Sequence, residues 1–190
     1  MRMHRLHSAL FATQEGRGAV TRCVTSGEAE RDCSGAAVLY RAPMRFVLRS
    51  VFRCTPEELF AFHERPEALA LLSPRDGSVR VVKPPASLRE GEEAIVKVGI
   101  GPLRARWVAR HTVYDPPRRF VDEQVSGPFR SWRHEHLVEP CPEGAALTDQ
   151  IDFELPAGPL GRAVAPIVMR VLRKSFEDRH ATTRREVERG

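Results

Sequence analysis

Lysine is almost missing from this sequence. Of 30 basic residues only Lys83, Lys97 and Lys174 are lysines, and the rest are arginines. A GC-rich coding sequence produces that bias without any functional cause. Cysteine is sparse too: Cys23, Cys33, Cys54 and Cys141 are scattered, with no C-x-x-C pair. This excludes a disulfide scaffold and a cysteine zinc site, and fits reduced thiols in a cytoplasmic protein. No run approaches 18 apolar residues, so no transmembrane segment is expected. There is no P-loop, no G-x-G-x-x-G and no nucleophile elbow, which removes the commonest nucleotide and hydrolase signatures. The short "GIG" at 99–101 reads as a hairpin turn.

What is present suggests one domain with an appendage. The chain has 190 residues, 42% hydrophobic and 29% charged, with a formal charge of +5. The surplus of basic residues near the C-terminus is interspersed with acids at helical spacing, so it reads as a solvated helix face and not as a nucleic-acid surface. Residues 1–43, rich in Gly, Ser, Thr and charge, show no sustained period, and a disordered N-terminal extension is expected there.

Order begins at Met44. "MRFVLRSVFRC" alternates as a first strand. In "TPEELFAFHERPEALALL", Thr55 is a helix N-cap, Pro56 suits the first helical position and Glu58 completes a capping box. A second short helix is expected from Pro66 to about Leu72. Six strands follow at hairpin spacing: "SVRVVKP", "GEEAIVKVGI", "LRARWVARHTVYD", "RFVDEQVSG", "SWRHEHLVEP" and "ALTDQIDFELP". The last segment is helical. Val164, Val168, Leu172 and Phe176 stand at i+4 steps, with Ile167 and Val171 alongside, as one apolar stripe, and Pro166 should kink the helix or mark its start. The expected fold class is α+β: a curved antiparallel sheet of about seven strands wrapped around a long C-terminal helix, with two short helices after the first strand. A sheet with one apolar face must be covered, and only the long helix can do it.

Strand parity selects the inner residues. In "LRARWVARHTVYD" the odd positions carry Trp107 and His111, while Arg104, Arg106 and Arg110 take the other face. "SWRHEHLVEP" puts Trp132, His134 and His136 on one face, leaving Arg133, Glu135 and Glu139 to solvent. "ALTDQIDFELP" contributes Phe153 and one charge, Asp149. "RFVDEQVSG" is ambiguous, since Phe120 shares its face with Asp122 and Gln124. The candidate site is therefore Trp107, His111, Gln124, Trp132, His134, His136, Asp149 and Phe153 from the sheet, with Leu172 and Phe176 from the helix. Three histidines and an aspartate on one face can line a ligand pocket or satisfy one another as a polar core. His134-x-His136 is also a metal-ligand spacing, with Asp149 or His111 as third ligand, but the pair is frequent by chance. No metal and no cofactor is expected.

"DPPRRFVDEQVSGPFRSWRHEHLVEP", "LTDQIDFELPAGPLGR" and the long last helix resemble the SRPBCC superfamily. Its members include START-like lipid-binding proteins, polyketide cyclase/dehydrase-like proteins and the birch pollen allergen. The resemblance runs from residue 44 to about 187 and is nearest to bacterial ligand-binding SRPBCC proteins, found alone or fused to a nucleotide-sugar-epimerase-like reductase. The matching positions are Phe120, Asp122, Gln124, Gly127, Pro128, Trp132, His134, His136, Asp149, Pro156 and Gly158. It implies a helix-grip fold with a hydrophobic cavity between sheet and helix. The leading expectation is a binding protein for a small hydrophobic or amphipathic ligand, such as a lipid, quinone or polyketide. A cyclase or dehydratase with His134 or His136 as general base, and a partner module of a reductase or epimerase-like protein, are the alternatives.

Overall fold

The computed structural model describes residues 43–100 and 103–189. The expected extension therefore lies outside the described residues, apart from its last position. Strand β1 (Met44–Phe52) is followed by α1 (Pro56–Glu64) and α2 (Ala68–Leu71). Then come β2 (Val79–Lys83), β3 (Glu93–Ile100), β4 (Leu103–Asp115), β5 (Arg119–Ser126), β6 (Ser131–Cys141) and β7 (Gly144–Glu154). Helix α3 (Gly158–Val187) ends the chain. All neighbouring strands are antiparallel, and the sheet order is β1-β7-β6-β5-β4-β3-β2. Strands β2 to β7 form a meander, and β1 returns beside β7. No described helix is long and apolar enough to cross a membrane.

The capping box at α1 is present as the sequence predicts. Thr55 Oγ1 accepts from the Glu58 amide at 3.2 Å, and Glu58 Oε2 accepts from the Thr55 amide at 2.8 Å. α2 is shorter than expected and starts at Ala68. Of the two readings of Pro166, the helix start is corrected: α3 begins at Gly158 and runs through that proline. The start is set instead by Ala157 and Gly158, both left-handed at φ 63° and 52°, which turn the chain out of β7. At 30 residues α3 spans about 45 Å.

The expected single stripe of α3 also needs correction. Leu172 and Phe176 are buried and Val168 is half-buried, and the inner face continues through His180 and Thr183. Val164, Ile167 and Val171 are instead exposed, and with Leu160 they form a second apolar row on the side of the helix. The i+4 steps 168, 172, 176 and 180 drift only slowly around the axis, whereas 167 and 171 lie about a quarter-turn or more from Leu172.

Two apolar clusters cover the inner face of the sheet. One joins Phe52, Leu59, Phe60, Leu88, Phe120, Val138, Ala145 and Leu147, with α1 laid on it. The other joins Phe46, Trp132, Ile151, Phe153, Leu172 and Phe176, with Trp107, Phe129, Val168 and Met169 partly buried against it. Strand β4 carries two irregularities, between Val108 and Ala109 and between His111 and Val113. They explain why Val108 is buried although its parity is that of exposed Arg106 and Arg110. On the outer face Glu135 is buried, not solvated as expected, because Arg133 and Arg119 close over it at 2.8 and 3.4 Å.

Helix α1 adds a buried histidine. The His63 ring donates from Nδ1 to the Leu59 carbonyl at 2.8 Å and packs against Phe62, Phe120 and His136. Burial, reinforced by nearby His136, pushes its pKa down to about 3, so it folds neutral. The unfolded chain binds a proton here below about 6.5 and the folded chain does not. This contribution is therefore complete above pH 6.5 and is lost progressively as pH falls toward 3.

Two measurements check this packing. In urea unfolding, Phe176→Ala should cost roughly 3–5 kcal/mol, and Val171→Ala should change stability by less than about 0.5 kcal/mol. The reverse order would mean that α3 is rotated. The stability advantage of wild type over His63→Leu should shrink by about 1.4 kcal/mol per pH unit on going from pH 6.5 to 4.5. An advantage that stays constant over that range would show that His63 is protonated in the fold.

Candidate functional site

Between the two apolar clusters runs a belt of polar side chains, one strand at a time. On β6 the inner face reads Trp132, His134, His136, Val138, so the two imidazoles separate the clusters. On β7 it reads Leu147, Asp149, Ile151, Phe153, with the carboxylate at the same level. The register places His136 opposite Asp149 and His134 opposite Asp122 of β5. This settles the face of β5: Phe120, stacked on the His136 ring at 3.9 Å, and Asp122 point inward. β1 contributes Ser50 between Phe46 and Phe52, and α3 lowers His180 from above.

Asp149 is the centre of the belt. It is 2% exposed and meets three imidazoles. His134 Nε2 is 3.1 Å from Oδ1, His136 Nδ1 is 2.6 Å from Oδ1, and His180 Nε2 is 2.7 Å from Oδ2. The His136 contact is close but off the line of a hydrogen bond, so it is charge proximity, while the other two are aligned. His180 donates to Asp149 through Nε2, which leaves its Nδ1 to accept from the Ser50 hydroxyl at 2.8 Å. That chain fastens α3 to β1 and β7. On the far side of the two β6 rings, Asp122 Oδ1 lies 3.3 Å from His134 Nδ1 and 3.7 Å from His136 Nε2.

Charge follows from this arrangement. Burial by itself would raise both carboxyl pKa values, but the imidazoles outweigh it by charge and hydrogen bonding and hold Asp122 and Asp149 well below the usual range. Burial would likewise push His134 down, yet Asp122 and Asp149 on its two sides carry it up. His111, opposite Asp122 on β4, is pushed down by burial against the weaker pull of that carboxylate. The belt therefore alternates anions and imidazoles inside a buried layer.

The structure brings most of the predicted residues together and separates their tasks. Trp107, Trp132 and Phe153 form an aromatic wall with Phe129: Trp107 and Trp132 meet edge-to-face at 4.9 Å, and Phe129 lies 4.7 Å from Trp132. Leu172 and Phe176 close the wall from α3, with Phe176 edge-on to His134 at 5.1 Å. His134, His136 and Asp149 make the belt, and His111 sits beside it. Gln124 is placed differently. Its amide is spent on the Phe129 backbone, donating to the carbonyl at 2.7 Å and accepting from the N–H at 3.3 Å. It pins the β5–β6 turn, where a Cβ on Gly127 would overlap Gln124 and Trp107.

Four residues of this region escaped the sequence reading of the site: Ser50, His63, Asp122 and His180. His180 had a signal, since it extends the 172, 176 series by one more step of four. Asp122 had one as well, sharing parity with Phe120. Ser50 and His63 have none beyond lying on apolar faces.

Residues 52–181 match the profile of the family described as polyketide cyclase / dehydrase and lipid transport. No curated protein matches the chain. Among solved structures it is similar to TTHA0849 from Thermus thermophilus, with TM-score 0.61 and 17% identity over 76% of this chain and 97% of that one. It is similar to a START superfamily protein from Mycobacterium smegmatis, with TM-score 0.54 and 13% identity over 78% of this chain and 98% of that one. A nucleoside-diphosphate sugar epimerase from Corynebacterium glutamicum also matches, with TM-score 0.59 and 21% identity, over 75% of this chain but 29% of that one. Identities this low show the fold alone, whereas the family profile covers more than half of the sequence. The chain thus belongs to the polyketide cyclase / dehydrase and lipid transport family of the SRPBCC superfamily, and it has that superfamily's helix-grip fold.

Proposed function

We propose that the protein binds a small hydrophobic or amphipathic molecule between α3 and the sheet, with its apolar body on the aromatic wall and its polar end at the belt. The observation that carries this reading is a set of three buried side-chain atoms without hydrogen-bond partners among the described residues, one of them His136 Nδ1 in the belt against Asp149. Trp107 Nε1 and His111 Nδ1 are closed off from solvent, and no described residue pairs with either. Such a group costs roughly 1–3 kcal/mol when left alone, so a polar ligand atom that reaches it recovers that cost. The wall around Trp107 is not tightly shut: Trp107, Phe129, Val168 and Met169 are all only partly buried. Apolar walls with a few convergent polar groups are the composition of small-molecule sites. The family description, which names lipid transport and polyketide chemistry, supports the same class of ligand.

A second reading is proton transfer on such a ligand. Asp149 lies against His134 and His136, and a carboxylate that orients an imidazole is the usual support of a general base. The two readings part on the fate of the ligand, which is recovered unchanged in the first and isomerised or dehydrated in the second.

The chain holds two tryptophans, and both stand in the wall. Intrinsic fluorescence is therefore a direct probe. Titration with a long-chain fatty acid or with a naphthoquinone should change the emission saturably. Trp107→Leu should weaken binding about tenfold, the loss of about 1.4 kcal/mol of contact, with the fold retained because that residue is only half-buried. No saturable change with either probe, together with no small molecule in native mass spectra of the purified protein, would contradict the proposal.

A further inference from the structure

We propose that Asp122, His134 and His136 form a binding site for one divalent transition-metal ion of the zinc class. Each residue presents one ligating atom, and the three atoms lie within 4.8 Å of one another. Asp122 Oδ1 is 3.3 Å from His134 Nδ1 and 3.7 Å from His136 Nε2. Ligands held about 2.1 Å from a tetrahedral ion stand roughly 3.4 Å apart, so two of the three edges of the site already have metal-site dimensions. Two imidazoles and one carboxylate are a donor set that suits zinc and its neighbours and leaves a fourth position open.

A second carboxylate lies behind the rings. The nitrogens that turn away from Asp122, His134 Nε2 and His136 Nδ1, both face Asp149 Oδ1, at 3.1 and 2.6 Å. A metal-bound histidine nearly always gives its other N–H to a carboxylate or carbonyl, which fixes the ring and the tautomer. The buried carboxylate does this for His134 through its Nε2, while His136 Nδ1 lies against it out of hydrogen-bond line, and His180, backed by Ser50, holds the carboxylate in turn. Asp149, one of the two third ligands that the sequence suggests beside His111, is therefore a positioning residue, and Asp122 takes the ligating place. Ligation requires the two imidazoles to be neutral, and the dication then balances the two buried carboxylates in their place. Asp122 is 19% exposed against 4–5% for the two histidines, so an ion has its approach from that side. The inference does not rest on the ligand-binding reading, since it concerns the belt alone and is tested without any organic molecule.

The test uses the full chain, dialysed against chelator and then titrated with Zn2+ by calorimetry. One equivalent should bind. Asp122→Ala should weaken it by about 100-fold or more, and Asp149→Asn by about 10- to 100-fold through loss of ring orientation. Absence of Zn2+ binding to folded wild type would overturn the proposal, as would equal affinity in wild type and Asp122→Ala. If a variant does not fold, imidazole nitrogen NMR of the wild type decides. Zn2+ should shift His134 Nδ1 and His136 Nε2, and unchanged resonances at both would overturn the proposal.

Discussion

A single buried charge organises this fold. Asp149 sits in the middle of the inner sheet face, where a lone carboxylate would be expelled or protonated. Three imidazoles from two different elements prevent that. Because His134 and His136 come from the neighbouring strand and His180 from α3, satisfying Asp149 fixes the β6–β7 register and the position of the helix together. A slip of β6 by one residue would turn both rings to the outer face and leave the carboxylate without them. Removing His180 would cut the polar link between the C-terminal third of α3 and the sheet.

The belt also explains why the core is split. A continuous apolar layer would pack α3 over its whole length, but the polar row divides the layer into the cluster under α1 and the cluster under the middle of α3. Only the first has α1 laid on it. The second is covered by part of α3 and by aromatic rings of which Trp107 and Phe129 are only partly buried. The polar belt thus separates a tightly closed cluster from one whose aromatic edge is only partly buried.

Much of this was legible in the sequence. Strand parity placed Trp132, His134, His136, Asp149 and Phe153 on the inner face, because a two-residue period is rigid once one apolar member is known. The capping box placed α1 to the residue. What parity could not supply was pairing. Whether Asp122 or Asp149 would stand on a given side of the imidazoles depends on inter-strand register and ring rotation, neither of which is local. Gln124 shows the same limit: its parity was right, but its amide was claimed by a turn five residues on. The helix stripe was over-read because six apolar residues in a row of turns span more arc than one face, and only the sheet decides which part is covered. Pro166 looked like a start because it removes a backbone donor. The actual start depends on the left-handed pair at 157–158, which a sequence containing Ala at that position does not announce.

The central claim, that a buried Asp149 charge holds sheet and helix together, is tested most directly by chemical denaturation of Asp149→Asn at pH 7. The substitution keeps the shape and removes the charge. Three imidazoles then lose their common anion, and breaking a buried ionic cluster in this way should cost roughly 3–5 kcal/mol. A loss below about 1 kcal/mol would contradict the account, because it would mean that the carboxylate is neutral in the folded protein or that its three contacts contribute nothing to holding α3 in place.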